Sequence, residues 1–143
     1  MAGYSGTPLA AKLGIKEGHV VALLGAPAGF EGTLAQTLPA GVTLRSRAQG
    51  TAEVIVAFHT KRSALDRQVA ALVRTLDVDG GLWIAWPKKA SGVATDVDED
   101  SVREVFLPLG LVDNKVCAID DTWSALRVVW RKERRAARRV PSP

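Results

Sequence analysis

The stretch WIAWPKKASG (Trp83–Gly92) changes character at its centre, and its reading decides the fold. With Leu82 it opens as a run of large apolar residues. A strand that is apolar on both faces belongs in the middle of a sheet covered on both sides. Pro87 has no N–H for the ladder and ends that strand. Lys88, Lys89 and Ser91 then emerge at its carboxyl end. Ligands of open parallel sheets bind at that end.

Working outward, the same pattern recurs. HVVALLG (19–25) and AEVIVAFHT (52–60) read as further buried strands, and VTLRSR (42–47) as a strand nearer the sheet edge. SALDRQVAALVRTL (63–76) repeats apolar residues at helical spacing (Leu65, Val69, Leu72, Val73, Leu76), with Ser63 as a plausible cap. TPLAAKLG (7–14) suits a short helix, with Thr7 as cap, Pro8 in the first turn and Gly14 ending it. A weak short helix is expected before Pro39. DVDGG (77–81) reads as a turn. A helix over 97–107 is expected, Asp96 and Glu99 forming a capping-box variant and Pro108 with Gly110 closing it. NKVCAID (114–120) and WSALRVVWR (123–131) suggest an antiparallel hairpin.

Strands alternating with helices predict an α/β fold. The expected form is a shortened Rossmann-like three-layer sandwich, its mainly parallel sheet ending in an antiparallel hairpin. The order is similar to the methyltransferase version of that fold, whose last two strands form such a hairpin. Residues 1–131 are expected to make one domain, with 132–143 a flexible basic tail.

Composition narrows the function classes. The 143 residues are 47% hydrophobic and 24% charged, as in an ordinary globular domain. No run approaches the roughly 20 apolar residues needed to span a bilayer, and the N-terminal residues lack a signal-peptide core. A cytoplasmic protein is the expectation. The net charge of +4 is unevenly spread: residues 127–143 carry +6, leaving −2 on the other 126. Nucleic acid is therefore expected only through the tail. The lone Cys117, mid-strand, reads as an inert core thiol, and two histidines give no zinc spacing.

The topology gathers four loops on one edge. They supply Pro27 after the first strand, His59, Lys61 and Arg62 after the third, and Lys88, Lys89 and Ser91 after the fourth. Asp121 and Trp123 come from the terminal hairpin. This set could hold a small anion or an acidic segment of a protein partner; solvated loop lysines are the plainer reading. Oligomeric state is not indicated.

The motifs for chemistry are weak. GAPAGFEG (25–32) has glycines after the first strand, but Pro27 interrupts it. The second strand ends in Arg45, Ser46 and Arg47, where a ribose-binding acid is required. No cofactor is expected on these grounds. Asp96, Asp98 and Asp100 match the first ligand positions of a calcium loop, but Ser101 and Leu107 stand where glycine and glutamate are needed. ASG (90–92) lacks the glycine of a nucleophile elbow. His59 has no evident orienting partner and reads as structural before catalytic. Trp83 and Trp86 point to opposite faces, and Trp86 or Trp123 could floor a pocket.

Three segments carry a family resemblance: GYSGTPLAAKLGI (3–15), LWIAWPKKASGVATD (82–96) and LGLVDNKVCAIDDTWSALRVV (109–129). Through them the chain resembles a bacterial family of short proteins, domain-of-unknown-function family three-zero-five-two. The resemblance implies a stand-alone cytoplasmic α/β domain and brings no activity, cofactor or catalytic residue. The reading is a non-catalytic accessory or regulatory module binding an anion or partner at the carboxyl edge. Two alternatives stay open: a degenerate S-adenosylmethionine-dependent methyltransferase-like enzyme, and a nucleic-acid binder working through the tail.

Overall fold

A computed structural model describes residues 7–139. The end of the basic tail (140–143) and the start of the segment at 3–15 lie outside the described residues. The element order is α1 (Leu9–Lys12), β1 (Val20–Leu24), α2 (Phe30–Ala35), β2 (Thr43–Arg45), β3 (Ala52–Phe58), α3 (Arg62–Thr75) and β4 (Leu76–Pro87). Then follow α4 (Glu99–Phe106), β5 (Leu111–Ala118), β6 (Trp123–Trp130) and α5 (Lys132–Arg139).

Six strands form one sheet in the order β2-β1-β3-β4-β6-β5. The first four are parallel, and β6 runs antiparallel between β4 and β5. The expected α/β sandwich is thus present, Rossmann-like and closed by a hairpin. Chain order reverses between β1 and β3, which makes their carboxyl ends the switch point where such sheets open a crevice.

Burial explains the apolar strands. On one face Ile55, Leu82, Ile84, Trp86, Leu126 and Val128 pack under Leu65 and Leu72 of α3 and Val102 and Phe106 of α4. On the other, Val54, Val56, Phe58, Trp83 and Ala85 meet Ala10 and Leu13 beside α1 and Phe30 and Leu34 of α2. Trp83 and Trp86 do face opposite layers. Trp83 is anchored by its indole N–H, which donates to Leu13 O at 3.0 Å.

Local expectations were displaced in instructive ways. DVDGG is not a turn: β4 begins at Leu76, and pairing with β3 jumps from Ala52–Leu76 to Val54–Gly81. Four residues of β4 oppose one of β3 in that interval, an irregular bulge. Gly80 is required there, because a Cβ would lie 2.5 Å from Glu53 O. The α4 cap is Asp98, not Asp96: its carboxylate accepts the Ser101 N–H at 2.9 Å, and the Ser101 hydroxyl reaches back to Asp98 N. Asp96 instead serves α3, accepting the Arg62 N–H at 2.6 Å, while Ser63 lies inside that helix. In α1, Pro8 holds the cap position, and Gly14 ends the turn at φ +79° as expected. β5 starts three residues early, and β2 is shorter than the stretch read from sequence. The described part of the tail is the helix α5, which contacts β4. No described helix is long and apolar enough to cross a membrane.

Candidate functional site

Hydrogen bonds join the loops at the carboxyl ends of the parallel strands. Lys88 N donates to Thr122 O at 2.8 Å, and Asp96 N to Thr60 O at 3.3 Å. Gly25 adopts φ +67°, and a Cβ there would come within 3.1 Å of Phe58 O, so the first loop presses on the end of β3.

Most nominated side chains at this edge serve the loops themselves. Lys88 Nζ donates to Asp120 O at 2.7 Å, pinning β4 to the hairpin turn. The Ser91 hydroxyl donates to Lys88 O at 2.6 Å, closing a single 3-10 turn. Arg62 is held by Asp66 at 3.2 Å and Glu104 at 3.0 Å, which raise its pKa further and turn its charge toward α3 and α4. Pro27 O accepts the Phe30 N–H at 3.1 Å, fixing the start of α2. Trp123 packs edge-on to Phe58, centroids 5.1 Å apart, and lines neither of the two clefts described below. Asp120, not Asp121, organises the hairpin, accepting the N–H groups of Thr122 and Trp123, each at 2.8 Å. Among the described residues, the ammonium groups of Lys61 and Lys89 and the carboxylate of Asp121 make no such bond.

His59 has the orienting partner that the sequence did not show. Its Nε2 lies 2.7 Å from Gln68 Oε1, one turn and a half into α3. The residue is buried, and Nδ1 has no hydrogen-bond partner among the described residues. Burial pushes its pKa down, and the Gln68 bond opposes this only in part. With the proton on Nε2, the imidazole is neutral and keeps Nδ1 as a buried acceptor at the carboxyl end of β3. Cys117 is buried, and burial raises its pKa, which keeps it an unreactive thiol.

Two clefts of about 190 and 150 Å³ lie elsewhere, and no nominated residue lines either. They flank Arg127 on the α1 face of β4, β6 and β5, with Lys12, Asn114 and Lys115 on one side and Asp79 and Arg135 on the other. Sequence reasoning passed over Arg127 because it searched strand ends. The available signal was an arginine in the middle of the apolar run SALRVVW. No group of three or more acids, histidines or cysteines among the described residues is arranged to hold a metal.

Whether an adenosyl cofactor fits the crevice can be tested on β2. Its last residue, Arg45, folds back to donate to Gln49 O at 2.9 Å, and no carboxylate stands there to take ribose hydroxyls. The first loop keeps two left-handed glycines, Gly25 and Gly29. The loop is therefore permissive, but the ribose position does not fit.

Comparison with known proteins supports the architecture. Neither a family model nor a curated protein sequence matches the chain. Solved structures do. A SAM dependent methyltransferase from Aquifex aeolicus superposes with a TM-score of 0.64 at 14% identity, over 82% of this chain and 85% of that one. A precorrin-6y methyltransferase from Geobacter metallireducens gives 0.60 at 11%, over 86% of each. A fibrillarin pre-rRNA processing protein from Methanococcus jannaschii gives 0.54 at 13%, over 87% and 69%. At these identities the likeness is one of fold.

Proposed function

We propose that the protein is a reduced domain of methyltransferase-like architecture that binds an anionic ligand at the β1/β3 crevice and does not transfer methyl groups. The observation that carries this reading is the end of β2, where Arg45 and Arg47 stand in place of a ribose-binding acid. Lys61 and Lys89 are the edge cations whose ammonium groups make no hydrogen bond among the described residues, and Lys89 also attracts the Asp98 carboxylate, so Lys61 is the freer of the two to meet an anion. His59 does not itself face the ligand: its Nδ1 is buried, and its ring ties the end of β3 to Gln68 of α3. It is badly placed for acid catalysis at neutral pH, since burial disfavours its charged form. On this view membership of the family three-zero-five-two is also a proposal, carried by the segments around WPKK and the terminal hairpin.

A second reading, an S-adenosylmethionine-dependent enzyme, is favoured by the structural neighbours and by the left-handed glycines of the first loop. Calorimetry with S-adenosylmethionine beside a thermal-shift screen of nucleotides and phosphorylated metabolites separates the two. A ligand at 100 times its dissociation constant stabilises by about 2.7 kcal/mol, a readable change in melting temperature. The expected result is no heat with S-adenosylmethionine, and an anion response that Lys61→Ala with Lys89→Ala weakens. Micromolar binding of S-adenosylmethionine would reverse the assignment.

A further inference from the structure

The cleft at Arg127 lies away from the carboxyl edge and carries a separate inference. Arg127 projects from the middle of β6, between Trp83 of β4 and Lys115 of β5, its partners in register. Like charges directly opposite on one sheet face repel, with side chains about 5 Å apart. Neither charge is paired: the Arg127 guanidinium makes no hydrogen bond or ion pair among the described residues, and neither does the ammonium of Lys115. Lys12 closes the third side, its ammonium donating to Ala118 O at 2.9 Å with further donors to spare. The lining of this cleft is Lys12, Leu13, Gly14, Trp83, Asn114, Lys115 and Arg127, three cations and no acid. The neighbouring cleft, which Arg127 and Asn114 also line, differs in holding one carboxylate residue, Asp79, besides Arg135.

The site is built and not merely charged. Asn114 is the extra residue of a bulge, since Asp113 pairs with Val128 and Lys115 with Arg127, and it lines the cleft. Gly81 leaves room for the guanidinium, which occupies the space a Cβ would take. Arg127 is half-buried, and burial alone lowers its pKa, with no carboxylate acting against it. A guanidinium nonetheless keeps its charge at any ordinary pH. A half-buried, unpaired fork of donors beside two lysines fits a tetrahedral oxyanion.

We propose that the Lys12–Lys115–Arg127 cleft is a binding site for a small phosphate-bearing anion. Its volume of about 190 Å³ is below that of sites for drug-sized ligands, so it admits one or two phosphate groups. Calorimetry of the full chain with inorganic phosphate and with pyrophosphate, at constant ionic strength, tests this. Saturable binding is expected, weakened by about tenfold or more in Arg127→Gln and severalfold in Lys115→Gln. Lys115 is exposed, so its variant reports binding with the fold intact. Gly81→Ala should also weaken binding by displacing the guanidinium without altering charge. In a Lys61→Ala, Lys89→Ala background, phosphate and pyrophosphate binding should persist and still be weakened by Arg127→Gln, which separates it from the carboxyl-edge proposal. Absence of saturable binding of both anions, or equal binding in the Arg127 and Lys115 variants, overturns the site.

Discussion

The two faces of the sheet are covered unequally, and the difference sets which strand residues can be polar. One face lies under α3, of 14 residues, and α4, of eight. The strand positions beneath them, Leu82, Ile84, Trp86, Leu126 and Val128, are all apolar and buried. The other face lies under α1, of four residues, and α2, of six, with α5 reaching β4 beyond Arg127. There the corresponding positions include Gly81, Ala85, Ala125 and Arg127, and Lys115 is exposed. A strand residue needs a helix above it before it must be apolar. Where the cover stops short, cations can stand on a central strand, and the clefts are found there.

The largest test of this asymmetry is Phe106→Ala. Phe106 is fully buried beneath the thicker cover, and truncating such a side chain costs about 3–5 kcal/mol. Phe30→Ala on the other face removes an edge-on contact with Phe58 (centroids 4.9 Å apart) from a six-residue helix that can shift to fill the gap. Its expected loss lies at or below the lower end of that range. Urea denaturation of both variants decides the matter, and equal losses would break the contrast between faces.

The sequence shows the covered face better than the thin one. LWIAW was legible as a central strand because its residues are apolar at every position, a consequence of burial on both sides. The hairpin was legible because two strand-like runs flank a short polar break. DVDGG misled because aspartate and glycine are depleted in regular strands, and a bulge uses the same residues as a turn. The gathering of those loops on one edge followed from the strand order, but the bonding of their side chains was not visible. Nothing in the order of residues says that Lys88 spends its ammonium on Asp120 O, or that Arg62 is held by Asp66 and Glu104. Arg127 was hidden for a different reason. Its importance depends on β6 lying inside the sheet beside a glycine of β4, and that pairing is tertiary.

A test of middling size concerns how the thicker cover is anchored. Asp98 caps α4 reciprocally with Ser101, and the Ser101 N–H is the first cause holding the Asp98 carboxyl below its usual range. Asp98→Ala should cost about 1 kcal/mol, the usual price of a lost N-cap. Asp98→Asn, which keeps an acceptor, should recover most of it. If the Asn variant is as unstable as the Ala variant, charge and not capping geometry sustains the helix end. Melting temperatures of the two variants read this directly.

The last test moves a slope and not a midpoint. His59 lies on the covered face, bonded to Gln68 of α3, and is held neutral there, whereas Arg127 on the thin face keeps its charge. Because burial lowers the His59 pKa, the folded chain binds fewer protons than the unfolded one once pH falls below the ordinary histidine value of about 6.5. The stability gained by keeping the ring neutral is complete above that value. It is lost progressively as pH falls from there through the folded pKa. Asp98 contributes in a separate window, because a depressed carboxyl loses its share only at more acid pH. Urea midpoints measured between pH 7 and pH 5 should therefore fall in the wild type, and fall less in His59→Asn, which cannot take up the proton. Identical slopes in the two proteins would mean that the imidazole charges without penalty. The covered edge would then be open to water, and its difference from the Arg127 face would be one of residue choice and not of burial.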